Sequence, residues 1–513
     1  MSMPPLPPIP EVDLTTFLLA GSAAHGERPA FLDGRTGRAV RYAELAPAVD
    51  RVAAGLAARG FGKGDVLAVL APNGPEWPLA LLGALRAGGV VTGVNPLWTT
   101  GEIAAQLADS GARFVLTVPP FLDRARQAAG DAQIVLAGGE AAGTVPFAAL
   151  LVETAPRPPV AISPADIALL PYSSGTTGPP KGVRLTHRNI VANVLQGMTG
   201  AAPTPRDVVL AVLPYFHVAG SFSGIFLALR GGATAVTQLR FDLEECLALV
   251  QEHRATILPV APPIVLALAR HPVVDRYDLS SLELVVSGSA PLSAAVQQEC
   301  ADRLGRRVVQ AYGMTESSTL IAMGGRDPAV PHAAGSVGEP VPGTEIRLVD
   351  PHTGAEAAEI GELWVRGPQV MAGYLHNPAA TAEMLDGEGW LRTGDLVSLS
   401  RTGEIVVLDR VKDLIKVSGF QVAPAELEAV LMTHPAVADA AVLGRLDPER
   451  GEVPVAFVVP RGELDPDAVL AFVAERVAGY KRIAEVRIVD AIPRSPAGKI
   501  VRRVLRDTIA APA

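Results

Sequence analysis

Between Tyr172 and Gly182 the chain reads Tyr-Ser-Ser-Gly-Thr-Thr-Gly-Pro-Pro-Lys-Gly, with hydroxyls at Ser173, Ser174, Thr176 and Thr177, glycines at Gly175, Gly178 and Gly182, and an ammonium at Lys181. Glycines let backbone N–H groups approach oxyanions, hydroxyls donate hydrogen bonds and the lysine adds a charge, so this segment can cradle a polyphosphate. It is not a Walker loop, because Gly-x-x-x-x-Gly-Lys-Ser/Thr is absent. A flexible surface turn is the plain alternative. Lysine usage weighs against that: of 44 basic residues only six are lysines, Lys63, Lys181, Lys412, Lys416, Lys481 and Lys499. Where lysine persists in an arginine-rich chain, a compact point charge is wanted and not a planar fork.

The elements that must position this loop are short apolar runs: Val66–Ala71, Phe114–Val118, Ile134–Leu136, Ile167–Leu170, Val208–Leu213, Thr256–Val260 and Leu284–Val286. Runs of this length, rich in Val, Ile and Leu and bounded by Gly, Pro or Asp, predict buried parallel strands. Val52–Arg59 and Ile264–Arg270 predict crossover helices, and the class is α/β. The loop follows Ile167–Leu170 directly. From about Glu345 the texture changes to Glu345–Val349, Glu362–Val365 and Glu404–Leu408 between Gly-rich turns, which predicts a small antiparallel unit. After Asp409 come a helix over Pro424–Met432, strands near Ala440–Leu443 and Val455–Val459, and an amphipathic helix over Pro466–Ala478. The boundary is expected at about Asp409–Lys412, giving domains 1–408 and 409–513. No internal repeat occurs.

Composition narrows the function classes. A chain of 513 residues is too long for one core and implies two or more domains. With 49 % hydrophobic and 19 % charged residues it suits a compact enzyme, not a disordered chain. A formal charge of -9 gives no general attraction for a phosphate backbone, so nucleic-acid binding is not expected. The proline-rich start, Met1–Pro10, lacks the basic and apolar parts of a signal peptide. The longest apolar run, Ala255–Ala269, is broken by Pro259, Pro262 and Pro263 and is too short for a membrane span. Cys246 and Cys300 have neither metal-ligand nor redox spacing. They read as small buried hydrophobes in a cytoplasmic protein.

Further motifs stand in order along the chain: Ser287-Gly-Ser-Ala-Pro291, Gln310-Ala-Tyr-Gly-Met-Thr-Glu316, Trp390-Leu-Arg-Thr-Gly-Asp395, Asp409-Arg-Val-Lys-Asp-Leu-Ile-Lys-Val-Ser-Gly-Phe-Gln421 and Pro493-Arg-Ser-Pro-Ala-Gly-Lys499. With the phosphate loop, these six resemble the adenylate-forming superfamily of acyl-CoA synthetases, coumarate–CoA ligases, firefly luciferase and peptide-synthetase adenylation domains. The resemblance covers nearly the whole chain. It implies two doubly wound subdomains and a small β-barrel in the large N-terminal domain, followed by a small mobile α/β C-terminal domain. The implied reaction joins a carboxylic acid to ATP, with magnesium, as acyl-AMP, then passes the acyl group to a pantetheine thiol.

The residue types suit those roles. Ser289 and Ala290 are small, as a flat base lying against backbone needs. Tyr312 offers a face for adenine beside Gly313, Thr315 a donor to the α-phosphate, and Glu316 a carboxylate for Mg²⁺, which takes few protein oxygens beside substrate phosphates. Asp395 can accept from both ribose hydroxyls and Arg410 can donate to them; an ordinary Gly-Asp turn and a surface arginine are the plain alternatives. By resemblance Lys499 contacts the reacting carboxylate and α-phosphate, Lys412 is the hinge, Lys416, Ser418 and Gly419 form the thioester face, and Gln421 lies near the acyl-adenylate. His217, in Pro214-Tyr-Phe-His217, borders the carboxylate and the thiol tunnel. A buried structural histidine is the alternative.

The acyl pocket is expected at Ala219, Gly288, Gly313 and Leu320. The closest pattern is that of coumarate–CoA ligases, including Gly419–Glu428, with three departures. Ala219 stands where a tyrosine is common, Ser317-Ser-Thr319 where a Gly or Pro pair is common, and Arg392 where a histidine often precedes Thr-Gly-Asp. The first opens volume, so the acid is aliphatic or fatty, or aryl-propenoic. The acceptor is coenzyme A, or the phosphopantetheine of an acyl carrier protein. An inactive protein that binds nucleotide or acyl-CoA is the reading from another class.

Overall fold

The computed structural model describes residues 5–154, 156–173, 180–351, 353–418, 420–495 and 498–509, with backbone only at 421 and 507–509. The runs Val66–Leu70, Val90–Gly93, Ala112–Thr117 and Gln133–Leu136 pair in parallel at the centre of a seven-stranded sheet. All of Val66–Leu70 is buried, as an unbroken Val/Leu run must be when helices such as Tyr42–Ala57 and Glu76–Arg86 cover the sheet. Ile167–Leu169 joins this sheet beside Val90–Gly93, at the entrance to the phosphate loop.

A second, nine-stranded sheet has the parallel core Pro29–Asp33, Thr234–Thr237, Val208–Ala211, Ile257–Val260, Leu284–Ser287 and Arg307–Tyr312. Pro29–Asp33 comes from ahead of the first sheet, so the two sheets are tied by a strand as well as by packing. Both cysteines are buried here as free thiols.

The unit expected as a small β-barrel is a five-stranded antiparallel sheet of Glu356–Ala357, Glu345–Val349, Ile360–Arg366, Leu391–Leu399 and Ile405–Arg410, with no pairing between its edge strands among the described residues. In place of the plain alternative of a Gly-Asp turn, Asp395 is carried by the strand Leu391–Leu399. Gly394 takes φ +68 inside it and the register slips on both sides, which re-aims Asp395 without ending the strand. Arg392 gains a role: its guanidinium lies 4.6 Å from the Trp364 ring centroid, Arg347 lies 4.5 Å from Trp364 and 4.4 Å from Trp390, and Arg366 lies 4.7 Å from Trp390. Five side chains thus alternate cation and ring, an arrangement a histidine ring would not complete as a permanent cation.

The last strand runs to Arg410, so the sheet ends inside the expected Asp409–Lys412 boundary. Beyond it Ile415–Val417, Phe420–Val422, Val437–Asp447, Gly451–Pro460 and Glu485–Ile488 form a separate sheet over its own core, which includes Val417, Leu427, Leu431, Val458 and Val469. Helix Pro466–Ala474 starts on an Asp465 cap with Pro466 in its first turn, and stops short of the expected Ala478. No helix among the described residues is long and apolar enough to cross a membrane.

Candidate active site

The site gathers at the C-terminal ends of the parallel strands Leu284–Ser287 and Arg307–Tyr312, the usual place for ligands on such sheets. Past the first, Ser289 adopts φ +72. Past the second comes Gly313, where a Cβ would lie 1.8 Å from the Thr319 carbonyl oxygen. Only glycine fits that crossing, and it lets Thr315–Ser317 turn back as a 3₁₀ helix beside the strand end.

Glu316 is buried and fixed by two hydroxyls: Ser173 Oγ donates to its Oε1 at 2.9 Å and the Tyr374 phenol to the same oxygen at 2.8 Å. Tyr172–Ser173 pairs with Lys181–Gly182, so the two ends of the phosphate loop meet at Glu316. Lys181 lies with its ammonium 5.1 Å from the Tyr374 ring centroid. Ser174, Gly175, Thr176, Thr177 and Gly178 lie outside the described residues. Sequence reasoning missed Tyr374. It stands in no phosphate-like motif; its bridge to Val183 and the Leu375 N–H bond to the Gly182 carbonyl bring it beside the loop.

No group of three His, Cys, Asp or Glu side chains among the described residues could hold a metal alone. Glu316 nonetheless suits Mg²⁺: the described residues offer Oε2 no hydrogen bond, and this ion draws most of its ligands from phosphates and water.

Opposite Glu316 a second buried carboxylate is held from both sides. The Tyr312 hydroxyl donates to Asp395 Oδ2 at 2.6 Å, and Arg410 Nε donates to Oδ1 at 2.7 Å across paired strands. Burial, then the Asp395 charge, raises the Tyr312 pKa well above the phenol range, so it stays a neutral donor. Tyr312 thus orients Asp395 as well as lining the cleft. Together they form a polar wall that can take sugar hydroxyls.

Lys499 enters this cleft from the C-terminal part of the chain. Its loop closes on itself through Ser495 N to the Lys499 carbonyl at 2.8 Å and Gly498 N to the Ser495 carbonyl at 2.8 Å, and Arg494 braces it by donating to the Gly498 carbonyl. Lost solvation, then the Arg410 cation, lowers the Lys499 pKa against the pull of Asp395 and Glu316. His217 faces the same space. Its Nδ1 accepts from Ala219 N at 3.3 Å, which leaves the proton on Nε2, and burial plus the Lys499 charge lower its pKa to about 4. It is neutral at pH 7.

Behind these groups opens a cavity of about 940 Å³, its mouth included, lined by Lys499, His217, Ser289, Tyr312 and Thr315 at one end and by Val209, Leu227, Ile257 and Met323 further in. All four expected acyl-pocket residues, Ala219, Gly288, Gly313 and Leu320, line it. Asn193 clamps Leu320 by accepting from its N–H at 3.0 Å and donating to its carbonyl at 2.9 Å. The Ser318–Thr319 departure has a cost and a use. Both residues have positive φ, 58 and 138, conformations strained for side-chain-bearing residues; Ser318 Oγ donates to the Gln369 carbonyl at 2.8 Å.

A sequence model of the AMP-binding enzyme family matches residues 20–375, and one of the AMP-binding enzyme C-terminal domain matches residues 426–499. The chain belongs to the AMP-binding enzyme family. It is 40 % identical over 522 residues to a 4-coumarate–CoA ligase of Pinus taeda, covering 98 % of this chain and 97 % of that one. It is 42 % identical over 512 residues to 4-coumarate–CoA ligase 5 of Oryza sativa subsp. japonica, covering 97 % and 95 %. Among solved structures, the anthranilate CoA ligase AuaEII in complex with anthranoyl-AMP superposes with TM-score 0.89 at 26 % identity, over 98 % of both chains. ATP-bound MatB from Rhodopseudomonas palustris gives 0.88 at 30 %, over 97 % and 99 %.

In this AMP-binding enzyme Lys412, Lys416, Ser418 and Ala290 are not among the residues that line the cavity. Lys412 is exposed on the 3₁₀ turn Val411–Asp413, its pKa lowered by partial desolvation and then by Arg410. Lys416 and Ser418 are exposed and do not line the cavity; Ser418, at φ 50, donates its N–H to the Arg450 carbonyl at 2.7 Å. Ala290 is half-buried beside Ser289. Gly419 and the Gln421 side chain lie outside the described residues.

Proposed function

We propose that this enzyme is an acid–CoA ligase for carboxylic acids with an apolar tail, acting through acyl-AMP. The supporting observation is the meeting of Lys499, Thr315, Tyr312 and neutral His217 on the wall of one apolar cavity, with Asp395 bonded to Tyr312 and with Asp395 and Glu316 close enough to act on the Lys499 charge. In the first step a carboxylate oxygen attacks the α-phosphorus of ATP, and pyrophosphate leaves. Lys499 spreads its charge over the attacking carboxylate and the α-phosphate, Thr315 donates to that phosphate, and Asp395 with Arg410 holds the ribose. Glu316, steadied by Ser173 and Tyr374, would hold Mg²⁺, which neutralises phosphate charge when bound.

In the second step the thiolate of coenzyme A attacks the acyl carbon and AMP leaves. His217, neutral and carrying its proton on Nε2, borders both the carboxylate and the thiol path. Since Lys416 and Ser418 are away from the cavity while Lys499 is in it, this arrangement suits adenylation. Rotation of residues 409–513 against 1–408 about Lys412 would exchange the two faces. Free buried cysteines fit a reducing cytoplasm.

The relatives named as 4-coumarate–CoA ligases favour an aryl-propenoate as the second reading of the acid. Ala219 and the apolar inner lining favour an alkyl tail. The test is AMP and acyl-CoA formation from MgATP and CoA with straight-chain acids beside cinnamate and coumarate, products identified by mass. A best rate on an alkyl acid carries the proposal; a best rate on coumarate replaces the tail assignment, and no acyl-AMP with any acid removes the function.

A further inference from the structure

We infer that the ion pair between half-buried Arg326 and buried Asp207 sets the length of acid the enzyme accepts, by pinning the loop of residues 200–204 as the floor of the acyl cavity. This rests on the acyl-pocket reading above. Depth follows from strand register. Gly288 and Ser289 lie beyond the C-terminal end of Leu284–Ser287, whereas Val209 and Ile257 lie at the start of their strands and pair with each other. At about 3.3 Å per residue a four-residue strand separates the two levels by roughly 13 Å. Ala201 and Pro203 line the cavity together with Val209 and Ile257, so their loop closes the end far from Lys499.

That loop is held against its own preference. Ala202 adopts φ +40, a strained conformation for alanine. Arg326 N donates to the Gly200 carbonyl at 3.0 Å. The Arg326 guanidinium makes two bonds to Asp207, Nη1 to Oδ2 at 2.9 Å and Nη2 to Oδ1 at 2.7 Å, and also pairs with Glu283. Asp207 is fully buried, and its Oδ2 in turn accepts from Thr204 N at 2.8 Å and Thr204 Oγ1 at 2.7 Å. Its Oδ1 accepts from Thr256 Oγ1 at 2.8 Å, beside the cavity residue Ile257. Met323 closes the other side so tightly that a Cβ on Gly200 would lie 2.4 Å from its Sδ. Neither charge of the pair touches the cavity: Asp207 and Arg326 act through the loop, as positioning residues.

The test is pyrophosphate exchange by the full-length enzyme across straight-chain acids from butanoate to tetradecanoate, with cinnamate included, in wild type, Arg326→Met and Arg326→Gln. With the floor released, the rate ratio of acids longer than the wild-type optimum to the optimum acid is expected to rise roughly tenfold or more, the scale of discrimination an apolar pocket achieves per methylene. The wild-type optimum acid should keep its kcat. A uniform fall, or an unchanged length profile in a folded variant, overturns the assignment, because a merely structural pair would not alter the ratio. If Arg326→Met does not fold, Arg326→Gln, which keeps one hydrogen bond, is read by the same ratio. A wild type active on no acid of the series instead removes the functional reading on which this rests.

Discussion

The two ends of the cavity use the same chemistry for opposite ends. At the mouth, buried carboxylates are held by hydroxyls and a guanidinium, Ser173 and Tyr374 on Glu316, Tyr312 and Arg410 on Asp395, and they face the cleft. At the floor an equally well-bonded pair, Asp207 with Arg326, lies behind apolar side chains and faces the loop it holds. A carboxylate at the mouth stores charge where a ligand will meet it. A carboxylate at the floor is spent within the protein and contributes shape. What separates a catalytic from a positioning charge is the side of the cavity wall on which it stands.

The comparison makes the mouth blind to the acid and the floor sensitive to it. Lys499→Ala should break the mouth hardest, lowering pyrophosphate exchange by about 10²–10³, in line with loss of one preorganised electrostatic group. The loss should be equal for every acid, while thioester formation from supplied acyl-AMP persists. A loss confined to long acids, or an equal loss of both steps, would refute the separation. Tyr374→Phe should act next most strongly, because it deletes one of two donors to a buried carboxylate. The KM for MgATP should rise about 10- to 100-fold, the scale of a hydrogen bond to a charged group, with the ranking of acids unchanged.

Much of the mouth was legible in the sequence, since its groups fall in runs: Ser173 and Lys181 flank one loop, Thr315 and Glu316 one turn. Tyr374 and the strand around Asp395 were not, because their placement follows from pairings such as Val183 with Tyr374 and from a bulge with no short-range signal. The parallel cores were legible because buried strands must be apolar throughout, as Val66–Leu70 is. The floor was illegible. Arg326 and Asp207 are 119 residues apart, and a Gly-Gly-Arg-Asp stretch reads as surface turn until the sheet folds it against Gly200.

A third carboxylate, outside both ends, supplies a control. Burial raises the Glu428 pKa to about 6 from 4.5, opposed by Arg502, whose Nη1 lies at 2.9 Å. Because the folded value is the higher one, the folded state holds more proton than the unfolded between pH 4.5 and about 6. The Glu428 contribution to stability should therefore fall by about 2 kcal/mol as pH rises through that window, beneath an opposite rise from His217 and His187, whose folded values are lowered to about 4. Glu428→Gln should remove this contribution, read as the difference between wild-type and variant unfolding free energies against pH, in which the slopes of Asp409, His217 and His187 cancel. The acid ranking should not move. An unchanged slope would show that Arg502 keeps Glu428 charged throughout.

Ala219→Tyr probes the wall between the two ends and carries the smallest expected effect. Ala219 lines the cavity from the short helix Val218–Ser221, next to His217, whose Nδ1 takes the Ala219 N–H. A backbone bond survives substitution, so the tautomer of His217 and the adenylation of short acids should be preserved. The added ring would occupy volume that an alkyl tail fills and would offer a stacking face to an aryl one. The ratio of kcat/KM for coumarate over a long straight-chain acid should rise roughly tenfold. If both acids instead lose equally, Ala219 belongs with the mouth, its ring pressing on His217 and Lys499, and the boundary between acid-blind and acid-sensitive walls must be drawn deeper, at Leu320.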